Sequence, residues 1–107
     1  MTAIPLHVAV YREPPRWCAH ALECDVAVTA STAETALDAL VKIIHAHVVH
    51  DQRHRRAPLS SWSAAPRRVW DAYAAAAALR APITLTRAHP ASVLQIQVAA
   101  SPADGAP

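Results

Sequence analysis

Residues 6–29 read LHVAVYREPPRWCAHALECDVAVT, and the pattern of this stretch predicts the central part of the fold. Every second residue from Leu6 to Val10 is apolar, which is the period of a half-buried strand. The two prolines that follow cannot join a β-ladder, so the chain turns there and returns as a second strand over 17–24. A short connection then leads into a third strand over 26–29. The stretch therefore predicts an antiparallel three-stranded meander.

A helix follows the meander. Ser31 and Glu34 fit a capping box, in which each residue's side chain accepts from the other's backbone N–H. Apolar residues then recur at helical spacing and form one stripe that covers the sheet. We end the helix near His50, because continuing it would bury the carboxylate of Asp51 without a partner. The stripe consists of Ala33, Leu37, Leu40, Val41, Ile44 and Val48.

The second half of the chain predicts a connector, a second helix and two strands. Residues 51–64 are rich in Arg, Ser and Pro and form the connector. Pro66 suits a first helical position, and an alanine-rich helix anchored by Trp70 and Tyr73 ends at Arg80. The predicted fold class is α+β in a single domain: residues 1–100, with a core in 6–50, the second helix and terminal strands (83–86 and 93–98) in 65–99, and a flexible tail at 101–107.

Length and composition indicate one compact domain. Of the 107 residues 53% are hydrophobic, but 26 are alanine, so the larger side chains suffice for one core. Residues 1–50 carry a net charge of −2 and residues 51–107 a net charge of +4. The chain starts with neither a basic run nor a long apolar stretch, and no segment approaches about 18 uncharged apolar residues. We therefore expect neither export nor a membrane span.

A set of residues in the second strand and the helix carries a resemblance to a known family: Trp17, Ala19, His20, Leu22, Glu23, Asp25, Glu34, Leu37, Leu40 and Val41. With these residues, 6–50 resembles the HicB-like antitoxin family, including its short orphan members. Ala65-Pro66 with Trp70 is similar to a piece that follows the domain in some orphan members. This chain has Ala30 where the family often has a glycine, and it lacks the usual Pro-Gly turn after the second strand.

The resemblance implies both a fold and a function. The fold is a partial ribonuclease H-like β-β-β-α-β arrangement with the last strand beside the first. The function is that of a type II toxin-antitoxin antitoxin in the bacterial cytoplasm, which assembles into dimers or larger oligomers and blocks a small, mRNA-cleaving HicA-like ribonuclease toxin. Relatives often add a DNA-binding domain, but one alanine-rich helix followed by strands supplies no recognition helix. We therefore predict no sequence-specific DNA binding.

A nuclease is the enzymatic alternative that such a fold suggests, because carboxylates on adjacent strands can hold two metal ions. The first strand and the two last strands contain no Asp or Glu in their predicted spans. Only Glu23 and Asp25 share a face, and we interpret them as a solvated edge or as partners of Arg12 or Arg16. We predict that the protein is not an enzyme, with no catalytic residue and no cofactor.

Cys18 and Cys24 lie six residues apart on one predicted strand, so about 20 Å separates them. That spacing excludes a disulfide within the strand and is not a zinc-ribbon pattern. We interpret both as reduced, packed thiols, which favours a cytoplasmic setting. His20 shares their predicted face, and we interpret it as a hydrogen-bonded core histidine, because a nucleophilic Cys-His pair needs a third group to orient it.

Four histidines form a local cluster, His45, His47, His50 and His54, and the last three lie within about 60° of one another on a helical wheel. Such spacing lets two imidazoles share a metal ion, but we expect no metal, because the chain beyond Asp51 leaves the helix. The preferred interpretation is a polar flank of the helix. An intermediate hypothesis places Ile43 and His47, with Ala36 and Ala39, in a subunit or partner interface.

The leading hypothesis is a binding protein that contacts its partner through a strand edge and the hairpin around Trp17. The predicted partner-binding residues are Trp17, Glu23, Asp25, Ile43 and His47. One alternative is an orphan oligomeric domain. Another is an RNA-contacting accessory protein, whose phosphate-binding residues would be Arg53, Arg55, Arg56, Arg67 and Arg68.

Overall fold

The structure, a computed structural model, describes residues 2–89 and 92–101, with side chains at 3–88 and 93–101. The predicted tail from residue 102 onward and residues 90 and 91 lie outside the described residues. No helix in the described part of the chain is long and apolar enough to cross a membrane. The elements are β1 (Thr2–Glu13), β2 (Arg16–Ala21), β3 (Val26–Ala30), α1 (Ala33–Arg53), α2 (Arg67–Leu79), β4 (Ile83–His89) and β5 (Ser92–Ala100).

All five strands form one mixed sheet in the order β3-β2-β1-β5-β4. β1 pairs antiparallel with β2, and β2 pairs antiparallel with β3, which confirms the predicted meander. β5 lies parallel to β1, with Leu6 opposite Ile96, so the last strand lies beside the first. β4 pairs antiparallel with β5. The fold is α+β and follows the expected β-β-β-α-β order, with β4 as an additional edge strand.

α1 covers one face of the sheet through the predicted apolar stripe. Leu40, Ile44 and Val48 are fully buried against the β1 residues that alternate toward this face, such as Leu6 and Val8. The alternation in β1 and the helical period in α1 are both local patterns, and each places its apolar side chains in the same core. This is the larger of the two hydrophobic clusters.

α2 covers the opposite face. Ala9 and Tyr11 of β1 face this side, where they pack with Val69 and Tyr73 of α2 and with Leu22. The connector reaches this face beside the β2–β3 turn, where the Ala65 N–H donates to the Leu22 carbonyl at 2.8 Å. The sheet is therefore sandwiched between two helices of different composition.

The predicted end of the first helix is wrong by one turn. α1 continues to Arg53, with Asp51 only 3% exposed. The carboxylate is not unpartnered, because its Oδ2 accepts from the Leu59 N–H at 2.8 Å. A connector residue thus satisfies the buried charge, and this contact ties the connector to the helix.

The start of α1 also differs from the prediction. The N-cap is Thr32 rather than Ser31, and its hydroxyl oxygen accepts from the Thr35 N–H at 3.1 Å. The Thr32 hydroxyl donates to the Thr35 hydroxyl at 2.8 Å, so a second threonine takes the place expected for Glu34. Both adjacent hydroxyl residues suit an N-cap chemically, and the exact entry of the chain decides between them.

β2 ends at Ala21, three residues before the predicted end. Residues 22–25 form a turn, and Asp25 adopts a left-handed conformation with φ 55°. Cys18 and Cys24 consequently do not share a strand face, because Cys24 lies in the core beneath α1 while Cys18 pairs with Tyr11 toward α2. Both are buried and form no disulfide.

Candidate functional site

Two histidine–carboxylate pairs meet at the β2–β3 turn. The backbone N–H and the Nδ1 of His7 contact the two carboxylate oxygens of Glu23 at 2.7 and 2.6 Å. The Nε2 of His20 lies 2.7 Å from Asp25 Oδ1. The turn places the Glu23 carboxylate against a histidine of β1 and the Asp25 carboxylate against a histidine of β2. The partners that the structure shows are histidines, and Asp25 is also exposed to solvent, as the predicted solvated edge requires.

His20 belongs to a buried polar chain. It is 7% exposed, and its Nδ1 lies 3.2 Å from the Tyr11 hydroxyl. Because an ionised carboxylate only accepts, we assign the ring hydrogen to Nε2, which donates to Asp25, so that the Tyr11 O–H donates to Nδ1. This arrangement confirms the predicted hydrogen-bonded core histidine. The Asp25 carboxylate also supplies the third, orienting group that a Cys-His pair would need.

The thiols nevertheless lack the character of nucleophiles. Burial raises the pKa of Cys18. Burial also raises the pKa of Tyr11, and the hydrogen bond with Cys18 adds to the rise. The Cys24 thiol, in the other core, has its pKa raised by burial to about 11. Both cysteines are therefore neutral thiols at pH 7.

Aromatic rings of α2 cover the His7–Glu23 pair. The ring centroid of Tyr73 lies 5.5 Å from that of His7 in an edge-on arrangement, and the Trp70 ring lies 6.4 Å away. The Trp70 Nε1–H donates to the Ala65 carbonyl at 3.1 Å, which fixes the ring. Burial raises the pKa of Tyr73, and the charge of Glu23 adds to the rise. A shallow cleft of about 160 Å³ on the α2 side is lined by Tyr11, Glu13, Arg68, Val69 and Ala72.

The C-terminal end of α1 gathers rings and cations. The ring centroids of His50 and His54 are 4.2 Å apart, and His47 meets Trp62 edge-on at 4.6 Å. The His54 Nδ1–H donates to the His50 carbonyl at 2.9 Å. We call this region the α1 C-terminal surface and define it by His50, Arg53, His54, Arg55, Arg56 and Trp62.

The metal-site candidates His47, His50 and His54 contact other rings. Within the described residues, no group of three or more His, Cys, Asp or Glu side chains is placed to hold a metal ion. Trp62, which the sequence left without a role, packs on His47 and on the core beneath α1. In the sequence, Trp62 stands out only as a tryptophan within a polar connector, and this feature does not predict which residues it contacts.

The predicted partner-binding residues do not form one surface. Trp17 is half-buried against the α1-side core, with the Arg12 guanidinium 5.9 Å from its ring centroid. Ile43 is 39% exposed on α1, whereas Ala36 of the proposed interface stripe is buried in the core. Glu23 and Asp25 lie at the β2–β3 turn. The five predicted residues therefore occupy three separate places.

The two predicted arginine clusters are also separate. Arg53, Arg55 and Arg56 lie at the end of α1 and just beyond it, and all three are exposed. Arg67 and Arg68 begin α2, which packs on the opposite face of the sheet. Arg67 Nε lies 3.8 Å from Asp71, and Arg68 lines the cleft.

Edge strand β4 offers unpaired backbone groups. Within the described residues it pairs only with β5, so its outer N–H and C=O groups have no strand partner. Ile83 at its start is 57% exposed, and Leu79 at the end of α2 is 65% exposed. Unpaired strand groups beside exposed apolar side chains are typical of a surface that accepts another chain.

Comparison with known proteins identifies no relative of this chain. No protein-family model, curated protein or solved structure matches the chain. The resemblance to HicB-like antitoxins therefore depends on the residues quoted above, and function has to be argued from the site itself.

Proposed function

We propose that this protein is a non-catalytic binding protein of the HicB-like antitoxin type, which neutralises a small mRNA-cleaving toxin by occluding it. The observation that carries the proposal is the sheet order β3-β2-β1-β5-β4, with β5 parallel to β1 and α1 packed on β1 to β3. The part of this arrangement that the resemblance implies is the three-stranded meander, the covering helix and a last strand beside the first. Several of the residues that carry the resemblance, including Leu22, Leu40 and Val41, occupy buried positions in it.

The engagement of the reactive side chains supports a role without catalysis. His20 uses both ring nitrogens in hydrogen bonds, and the carboxylates of Glu23 and Asp25 are bound by histidines. The Cys18 thiol is buried, and its pKa is raised. A nucleophilic thiol has to be ionised and reach a substrate, so a buried thiol with a raised pKa does not fit that role.

The outer edge of β4 is the surface we assign to the toxin. A partner strand can continue the sheet there through backbone hydrogen bonds, and exposed Ile83 supplies an apolar contact. β4 spans seven residues, whereas the opposite edge strand β3 spans five. The longer edge offers more backbone pairing.

The test is a tagged pull-down from the host at moderate salt with nuclease added, followed by an mRNA-cleavage assay on the captured protein. We expect a small basic ribonuclease in stoichiometric amount, whose cleavage of mRNA stops when this protein is added back. Recovery of the bait alone as a clean oligomer would contradict the proposal and favour an orphan oligomeric domain. A captured protein whose activity is unaffected would contradict it as well.

A matched pair of variants locates the contact. Ile83→Lys places a charge on the β4 edge, and Ile43→Lys places the same charge at an exposed isoleucine of α1. We expect Ile83→Lys to lose the captured partner and Ile43→Lys to retain it. Equal loss in both variants would show that the β4 edge is not the binding surface.

A further inference from the structure

The α1 C-terminal surface combines exposed rings with uncompensated positive charge. His50 and His54 are exposed, and their rings lie together on one side of the last helical turns. No ion pair within the described part of the chain involves Arg53, Arg55 or Arg56. The four ion pairs that the structure shows lie elsewhere.

The local acid is turned inward. Asp51 is the sole Asp or Glu in residues 45–56, and its buried carboxylate accepts from the Leu59 N–H. The Arg56 N–H donates to the Asp51 carbonyl at 2.8 Å and the Arg55 N–H to the Gln52 carbonyl at 3.1 Å. These two bonds form a Schellman motif, in which glycine is the usual left-handed residue. Here Arg55 occupies that position with φ 55°.

Complementing the helix dipole does not account for this composition. One or two cations in the last turn suffice to interact with the terminal carbonyls. The His54 ring contacts one terminal carbonyl, that of His50, but the close approach of the two exposed rings, with centroids 4.2 Å apart, is not needed for that interaction. Flat rings beside unpaired guanidinium groups are the combination that binds single-stranded nucleic acid, where bases stack on rings and phosphates contact cations.

We propose that the α1 C-terminal surface binds a single-stranded polynucleotide. Arg53, Arg55 and Arg56 contact successive phosphates, and bases stack on the His50 and His54 rings. The Trp62 ring lies edge-on to His47, three residues before His50 in α1. Arg67 and Arg68, which the sequence grouped with these arginines, are not part of the site. This activity is independent of toxin binding at β4, so either proposal can fail without the other.

The experiment is fluorescence anisotropy with labelled 12-nucleotide probes, oligouridylate and oligothymidylate, and a duplex of the same length, at about 50 mM salt. We expect saturable binding of the single strands and weaker binding of the duplex. Tighter binding of oligouridylate than of oligothymidylate assigns the ligand to RNA, and the reverse order assigns it to DNA. No saturable binding, or equal binding of the duplex, would overturn the proposal.

Two double variants with the same change in charge separate the site from general electrostatics. Arg55→Gln/Arg56→Gln should weaken binding about tenfold or more and reduce the slope of log affinity against log salt by about 1.4, because two phosphate contacts are lost. Arg67→Gln/Arg68→Gln should stay within about twofold of the parent. Equal weakening by both variants would reduce the effect to net charge and overturn the site.

The rings have their own test. His50→Gln/His54→Gln removes the stacking platform and leaves the arginines in place. We expect about tenfold weaker binding at pH 8 with an unchanged salt slope, because stacking contacts release no counterions. Unchanged affinity would show that the bases do not stack there and would overturn that part of the proposal.

Discussion

The two faces of the sheet are covered through different kinds of interaction. On one face, the 21-residue helix α1 buries large aliphatic side chains such as Leu40 and Ile44 in a continuous apolar core. On the other face, the 13-residue helix α2 contains five consecutive alanines, and its buried residues are Val69 and Ala76. There the contacts are ring packing on His7 and the polar chain from Tyr11 through His20 to Asp25.

The two faces therefore contribute differently to stability and to specificity. Apolar burial contributes roughly in proportion to area, so the α1 face supplies most of the free energy of folding. Alanine favours the helix but buries little surface, so α2 depends on a few anchors. We therefore expect α2 to open locally at a lower free energy than the whole protein. The polar groups beneath it demand defined geometry and add little net burial.

The largest effect should come from the α1 face. Ile44→Ala removes a fully buried side chain and should cost about 3–4 kcal/mol of unfolding free energy, because lost transfer energy and a residual cavity add together. Ile43→Ala, its neighbour in the same helix, is the control and should cost less than about 1 kcal/mol. Urea unfolding followed by circular dichroism measures both. Equal costs would contradict the assigned helix face.

A matched valine pair compares the two faces directly. Val48 of α1 and Val69 of α2 are both buried. Val48→Ala should cost about 2–3 kcal/mol, and Val69→Ala about 1 kcal/mol, because Val69 belongs to the smaller cluster, where fewer large aliphatic side chains surround it. The same urea titrations give both values. If Val69→Ala proves the more costly change, the proposed inequality of the two faces is wrong.

The stability of the protein should depend on the Asp25 carboxylate, which accepts the hydrogen bond from His20 on the α2 face. Asp25→Ala leaves the His20 Nε2–H without that carboxylate and puts a Cβ residue without a local hydrogen bond at φ 55°, so we expect a loss of about 2 kcal/mol. Asp25→Asn keeps an acceptor and tolerates the left-handed conformation, and it should cost less than about 1 kcal/mol. Asp25→Gly removes the acceptor and also the cost of a Cβ at φ 55°, so its loss should lie between those of the other two variants. A loss in Asp25→Ala as small as in Asp25→Asn would show that the hydrogen bond contributes nothing.

Alkaline pH should weaken the α1 face through Cys24. Burial raises the pKa of this thiol to about 11 from 9.0, so the unfolded chain loses the proton first as pH rises. Between these values the unfolded state binds fewer protons, and stability therefore falls as pH increases. By pH 11 the parent should lose about 2 kcal/mol more than Cys24→Ala, relative to pH 8. Parallel stability curves for the two proteins would contradict the buried thiol.

The smallest effect concerns the helix caps. Thr32 caps α1 with its side chain, whereas Pro66 at the start of α2 offers no side-chain cap. Pro66→Asp should let a carboxylate accept from the free N–H groups and stabilise α2 by about 0.5–1 kcal/mol. Amide hydrogen exchange should show slower exchange in α2 alone. Slower exchange in α1 to the same extent would indicate that the two helices open together.

Local patterns were sufficient for much of the fold. The alternation in β1, the proline turn and the helical stripe of α1 each depend on residues close in sequence, and all three appear in the structure. The errors lie at element ends, where Asp51 and the end of β2 depend on distant partners. The cap at Thr32 differs from the predicted Ser31 by a single residue, which propensity alone does not resolve.

The candidate site was less accessible from the sequence than the fold. Residue types identified the histidine and arginine clusters, but not which arginines share a surface with rings. His50 and His54 contact each other within one helix, so their spacing revealed them. Trp62 reaches His47 across fifteen residues of helix end and connector, and no periodicity encodes that path.

The meander and its covering helix follow from the sequence alone, because the periods of strands and helices dictate which side chains share a face. Only the tertiary structure decided how the polar groups pair. Glu23 with His7, Asp25 with His20, and Asp51 with the Leu59 N–H are contacts that depend on turn geometry. A buried polar group takes whichever partner the folded chain brings within about 3 Å, and that distance exists only after folding.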